Sequence, residues 1–104
     1  VLKDVAMKRY NNDDKEVVMV AIAQNMNALE HASDSLKNDK EVVMAAIAQN
    51  GFALKYASDE LKSDREVVLA AVTNNGLALE FAKLNDEDIV KAAKKEIEEY
   101  RQKN

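Results

Sequence analysis

Asp39 to Lys62, DKEVVMAAIAQNGFALKYASDELK, is written almost three times in this chain. DKEVV opens at Asp14 and again at Asp39, and DREVV opens at Asp64, each 25 residues after the last with no insertion between. A fixed period of about 20–50 residues is the signature of a repeat array, in which each unit is one supersecondary element completed by its neighbours. That period outranks any single residue as evidence of architecture.

Each copy reads as a long helix, a break, a short helix and a turn. Asp13, Asn38 and Ser63 each stand three residues before a glutamate, Glu16, Glu41 and Glu66. That spacing is a capping box, in which the first side chain takes an orphan amide and the glutamate reaches back. The helix body, Val17 to Ala23 in the first copy, is apolar nearly all round, so it needs cover on more than one side. A helix of about 12 residues is also marginal alone. Neighbouring copies can supply the cover: Ala21, Ala46 and Ala71 allow close approach, while Ile22, Ile47 and Val72 fill between.

Asn50-Gly51 and Asn75-Gly76 read as stop signals, with glycine expected in the left-handed position past the helix end. The first copy has Asn25-Met26 instead. Methionine at positive φ would cost about 1 kcal/mol or more, so that helix is expected to end on Asn25 or to run on. Leu29, Leu54 and Leu79, with Ala32, Ala57 and Ala82, form an inward stripe on the short helices. Ser-Asp-x-Leu-Lys (33–37 and 58–62) then turns the chain, with Leu36 and Leu61 anchoring the turn in the core.

The pattern predicts long helices near 14–25, 39–50, 64–75 and 86–101 and short ones near 27–32, 52–57 and 77–82. The expected architecture is a single all-α domain over 1–104, a short α-α superhelix (solenoid) of 25-residue helix-turn-helix repeats. It comprises a partial repeat at 1–13, repeats at 14–38, 39–63 and 64–85, and a C-terminal capping helix at 86–104. The last helix restarts at Asp86, three residues early by the repeat's clock. It places Ile89, Ala93, Ile97 and Tyr100 on one face and Lys91, Lys94, Lys95, Glu98, Glu99 and Arg101 on the other. A polar outer face is what the terminal unit of an array requires.

Composition agrees: 47% of the residues are apolar and 33% charged, enough for a core and a solvated surface. With no proline and two glycines there is little room for strands and tight turns. The longest apolar run, Val17–Ala23, falls far short of the ~20 residues of a membrane span, and no secretory signal is visible. The chain opens in mid-pattern, as an excerpt of a larger protein would; cytoplasmic is the default reading, although the parent could be exported. No cysteine is present, which removes disulfides, thiolate nucleophiles and cysteine zinc sites. The net charge of −4, with signs mixed along the chain, is wrong for nucleic acid, which needs a concentrated basic face.

The phrase NDKEVV-x-AA-x-x-QNG-x-ALxYASDELK resembles the repeat of the domain-of-unknown-function family numbered 4116, over about residues 13–82. The resemblance implies a tandem helical repeat and carries no activity with it. The first copy departs from the phrase at Met26, Asn27 and His31, and the last at Lys83-Leu84.

No catalytic constellation is legible, and no enzyme is expected. With one histidine, a paired-histidine metal motif is impossible. His31 aligns with Tyr56 and Phe81 and reads as a stacked ladder residue. Ser33 and Ser58 have no histidine at a repeated distance and read as turn or cap residues. No glycine-rich loop could cradle a phosphate, so no cofactor is expected. The carboxylates at the helix starts are explained by orphan amides and the helix dipole, and the interleaved Lys15, Lys40 and Arg65 are wrong for calcium. No metal is expected. Asn25, Asn50 and Asn75, preceded by Gln24, Gln49 and Asn74, read as a hydrogen-bonded ladder, since buried amides demand partners; the alternative is a polar groove that reads a peptide backbone.

The candidate partner-binding residues are Asn27, Glu30, His31, Phe52, Lys55, Tyr56, Leu77, Glu80 and Phe81. Asn27/His31, Phe52/Tyr56 and Leu77/Phe81 are four apart and so are expected to share a face, with Glu30, Lys55 and Glu80 changing sign beside them. The expected function is a monomeric, non-enzymatic module for protein or peptide interaction, since repeat arrays present extended surfaces. The alternative is a structural spacer or accessory domain of a multidomain enzyme, with no ligand of its own.

Overall fold

The computed structural model describes residues 12–84 and 86–103. The partial repeat expected at 1–13 lies outside the described residues, apart from Asn12 and Asp13. In order come α1 (Lys15–Gln24), a 3₁₀ helix (Met26–His31), α2 (Asp34–Lys37), α3 (Lys40–Gln49), a 3₁₀ helix (Gly51–Tyr56), α4 (Asp59–Lys62), α5 (Arg65–Asn74), a 3₁₀ helix (Gly76–Phe81) and α6 (Glu87–Lys103). The chain is all-α, with no strand among the described residues.

The long helices α1, α3, α5 and α6 pack side by side in chain order, and each 3₁₀ helix packs on its own α-helix and on the next one. Two layers result, consistent with extents of 45 × 31 × 16 Å. Between the layers lies a continuous core, in which Val18, Ile22, Leu29, Val42, Ile47, Leu54, Val67, Val72, Ile89 and Ala93 are buried. Leu36 and Leu61, on the one-turn helices α2 and α4, are buried as well and pin the return of the chain.

Three local expectations are corrected. The first concerns the cap. Asp14, Asp39 and Asp64 are the N-caps, each accepting from the amide three residues on, Val17, Val42 or Val67, at 3.3 Å. The glutamates therefore stand at the second helical position and no capping box forms. Asp13 and Asn38 do a different job: their Oδ1 atoms accept from the hydroxyls of Ser33 (2.8 Å) and Ser58 (2.6 Å), one repeat later. Those same serines cap α2 and α4, and their amides donate to the carbonyls of Asn12 and Lys37. The result is a set of bolts between consecutive repeats.

The second concerns the glycines. No described residue has positive φ, because Asn25, Asn50 and Asn75 end the long helices in extended backbone. Each asparagine Oδ1 then accepts from the amide two residues on, starting the next helix at once. Gly51 and Gly76 are needed for closeness instead. A Cβ on Gly51 would strike the backbone of Ala71, and one on Gly76 the backbone of Ala93 and the side chain of Ile97. Met26 thus needs no left-handed conformation, and α1 stops at Gln24 as its counterparts stop at Gln49 and Asn74.

The third is the winding of the short helices, which is 3₁₀. In a six-residue segment i→i+3 bonding closes more rings than i→i+4 bonding can, and the asparagine turn starts the segment on that pattern.

Helix α6 keeps the repeat's contacts at an offset of 22 residues rather than 25. Asp86 caps it through the Ile89 amide at 3.0 Å, as Asp64 caps α5. Gly76 abuts Ala93 as Gly51 abuts Ala71. The Gly76 amide donates to Glu96 Oε1 as the Gly51 amide donates to Asn74 Oδ1. Ile89 and Ala93 are buried, whereas Tyr100, expected on the same face, is 63% exposed.

Candidate interaction face

The helix starts carry an ion-pair row. Lys15 reaches Asp39 (3.0 Å) and Glu41 (2.6 Å) of the next copy, and Lys40 reaches Asp64 (3.2 Å) and Glu66 (2.5 Å). Arg65 closes on Asp86 and Asp88 of α6. Burial pushes the Asp39 and Asp64 carboxyls up, but the facing lysines and the amides of the helix start outweigh it, so both lie below the ordinary aspartate range. Hydrogen bonds that Lys15 donates to Glu41 and Asp39 hold it above its usual value, and those that Lys40 donates to Glu66 and Asp64 do the same. Exposed pairs of this kind contribute little stability; their consequence is register between copies. At the position of these cations α6 has Glu87, which pairs within its own helix with Lys91 at 3.3 Å.

The predicted stripe on the short helices does not form one face. In a 3₁₀ helix residues three apart eclipse, not residues four apart, so Phe52 lies over Lys55 while Tyr56 follows Ala53. What forms is a diagonal contact between copies: the rings of Phe52 and Phe81 meet edge to face, 4.9 Å between centroids. Lys55 Nζ sits 5.1 Å from the centre of its neighbour Tyr56. Phe52, Tyr56 and Phe81 are half-buried, while Asn27, Glu30, His31, Lys55 and Glu80 are exposed. Leu77 is 59% exposed and lies apart from the aromatics, in a groove with Gln49, Asn50, Asn74, Asn75, Glu96, Ile97, Tyr100 and Arg101. In this groove Asn75 Nδ2 donates to Asn50 Oδ1 at 3.1 Å, a rung of an amide ladder across the repeat. Asn50 and Asn75 therefore join two copies by this one bond and also line the groove, of about 400 Å³.

A second partly apolar surface lies on the outer side of the long helices. In α3, Val42, Val43, Ala46 and Ile47 point inward and are buried, which turns Glu41, Met44, Ala45 and Ala48 outward at i, i+3, i+4 and i+7. The same positions are Glu16, Met19, Val20 and Ala23 in α1 and Glu66, Leu69, Ala70 and Thr73 in α5. Met19, Met44, Ala45, Leu69 and Ala70 are half-buried on the core's outer edge, and Val20 is 61% exposed. Between α3 and α5 the face dips into an open hollow of about 520 Å³ lined by Met44, Glu66, Leu69, Ala70, Thr73 and Asn74. On α6 the corresponding positions become Lys91, Ala92 and Lys95, and the apolar face stops.

The sequence profile of the domain of unknown function DUF4116 matches three overlapping segments, residues 14–62, 39–85 and 64–96. The chain belongs to the DUF4116 family. The third match runs to Glu96, the α6 residue that holds the Gly76 amide, so the early turns of α6 belong to the DUF4116 pattern along with the helices before it. No curated protein and no solved structure matches the chain.

The outer face of the DUF4116 array was missed in the sequence, although its signal was present. A helix apolar nearly all round needs cover on more than one side; neighbours cover its flanks and the 3₁₀ layer its inner side, and no described element lies over the outer side. No helix among the described residues is long and apolar enough to cross a membrane, and no described cluster of three or more acidic, histidine or cysteine side chains is placed to hold a metal ion.

Proposed function

We propose that this DUF4116 array is a non-enzymatic module that binds a protein or a peptide, and that its contact surface is the outer face of α1, α3 and α5. The observation that carries the reading is the outer face itself: the copies present Met19-Val20, Met44-Ala45 and Leu69-Ala70 in register with no element of the described chain over them, Val20 exposed and the others partly so. A contiguous exposed apolar patch rimmed by polar residues marks an interaction surface. The aromatic contact between Phe52 and Phe81 serves the stacking of the copies and leaves the predicted stripe a smaller share in recognition.

The test is affinity capture with the chain as bait, comparing the unaltered protein with a Met44→Lys/Leu69→Lys double variant whose thermal melting is checked. A protein retained by the first and lost by the second, at similar melting temperature, supports the reading. The same set of proteins recovered by both, or none by either, favours a spacer.

A further inference from the structure

Resting on that reading, we propose that the partner element is a basic amphipathic helix, laid across α1, α3 and α5 with its apolar stripe on Met19, Val20, Met44 and Leu69 and its cations toward the helix starts.

The argument begins with charge. The first three positions of the four stacked units, counted from the N-cap, are Asp14-Lys15-Glu16, Asp39-Lys40-Glu41, Asp64-Arg65-Glu66 and Asp86-Glu87-Asp88. Nine carboxylates stand there against three cations, a surplus of six, on a chain whose total is −4. The acid excess is therefore concentrated on one edge, and the rest of the chain is on balance slightly basic. Each of the three cations is shared by two carboxylates of the next unit, so the edge stays acidic after pairing. Glu41 and Glu66 side chains are each 69% exposed. Glu66 also lines the apolar hollow with Met44, Leu69 and Ala70, so acid and apolar groups meet within one site.

Shape and side-chain type agree. Methionine adapts its unbranched chain to varied apolar surfaces, and the outer positions use it at Met19 and Met44, with Ala45 beside Met44 and Ala70 beside Leu69 to admit a close approach. Packed helices lie about 8–10 Å apart, so three of them offer a face about 20–30 Å long. That matches a helix of about 14–20 residues at 1.5 Å rise. The opposite rim is neutral at Gln24, Gln49 and Asn74, while Lys91 and Lys95 on α6 repel a basic partner and set where its end must fall. An apolar helix in a groove is a recurrent recognition mode, and a matching charge edge supplies direction and specificity.

Two synthetic helical peptides of about 18 residues, one with leucines on one face and lysines on the other, one with glutamates replacing the lysines, are titrated against the whole chain by fluorescence anisotropy. The basic peptide is expected to bind at least tenfold more tightly, to weaken as salt rises through the range where exposed charges are screened, and to lose affinity with Met44→Lys/Leu69→Lys and with Glu16→Gln/Glu66→Gln. The salt titration reads the charge claim on the unaltered protein, should a variant misfold. Equal or tighter binding of the acidic peptide, weakened by Met44→Lys/Leu69→Lys, overturns the basic partner while leaving the interaction face standing. Failure of both peptides overturns the helix partner, and affinity capture then decides the wider reading separately. A chain that elutes as a dimer, and as a monomer once Met44 and Leu69 are lysines, overturns it in favour of a second copy.

Discussion

Gly51 lies against the backbone of Ala71, so close that a Cβ on the glycine would fall well inside 3.0 Å of the Ala71 carbonyl. The contact joins one repeat's 3₁₀ helix to the next repeat's long helix, and Gly76 repeats it on Ala93. Neither obstructing group is the end of a flexible side chain alone, so neither can swing away. Gly51→Ala and Gly76→Ala should each cost about 1–3 kcal/mol, the range for overpacking. Urea unfolding of each variant measures this, and an unchanged midpoint would show that the layers separate easily.

The cap assignment separates two neighbouring residues. Asp39→Ala removes the acceptor of the Glu41 and Val42 amides and should cost about 0.5–2 kcal/mol. Ser63, which stands where a capping box would put the cap, is exposed and lies one residue outside the capped position. Ser63→Ala should shift stability by less than about 0.5 kcal/mol. Equal losses from the two substitutions would return the cap to Ser63 and its counterparts.

Stability should fall in acid for a reason confined to the repeat junctions. Asp39 and Asp64 lie below the ordinary aspartate value of 3.8 when folded. A depressed carboxyl stabilises the fold above its unfolded value, and that contribution is lost as pH falls through the folded one. Lys15 and Lys40, raised above 10.5, work at the other end: their contribution is complete below that value and lost as pH rises past the folded one. Melting temperature should therefore decline below about pH 4, and an Asp39→Asn/Asp64→Asn variant should decline less steeply. Parallel curves for the two proteins would place the acid sensitivity elsewhere.

Removing α6 tests what the last helix covers. Ile89 and Ala93 are buried against α5 and the third 3₁₀ helix, so a chain ending at Leu84 bares the side of those two elements that α6 covers, Gly76 included. Such a chain should melt lower or associate, read by scanning calorimetry and sedimentation. A monomer that melts like the parent would mean α6 is an appendage.

The repeat, the all-α class and the rough helix bounds were legible in the sequence because they follow from local chemistry repeated at a fixed interval. DKEVV at Asp14 and Asp39 and DREVV at Asp64 start three helices the same way, and Asn25, Asn50 and Asn75 stop them the same way. The bound amides are within a few residues of the side chains that bind them. Tertiary structure alone decided the rest. Gly51 reads as a left-handed stop until Ala71 is seen beside it, since the need for a missing Cβ arises from a residue 20 positions away. Phe52 and Tyr56 share a face only if the segment is α-helical, and its short length between an asparagine turn and an extended alanine makes it 3₁₀. The open face of α1, α3 and α5 follows from the same limit. A helix apolar on all sides declares that it will be covered, but which side its neighbours leave bare depends on how the copies stack.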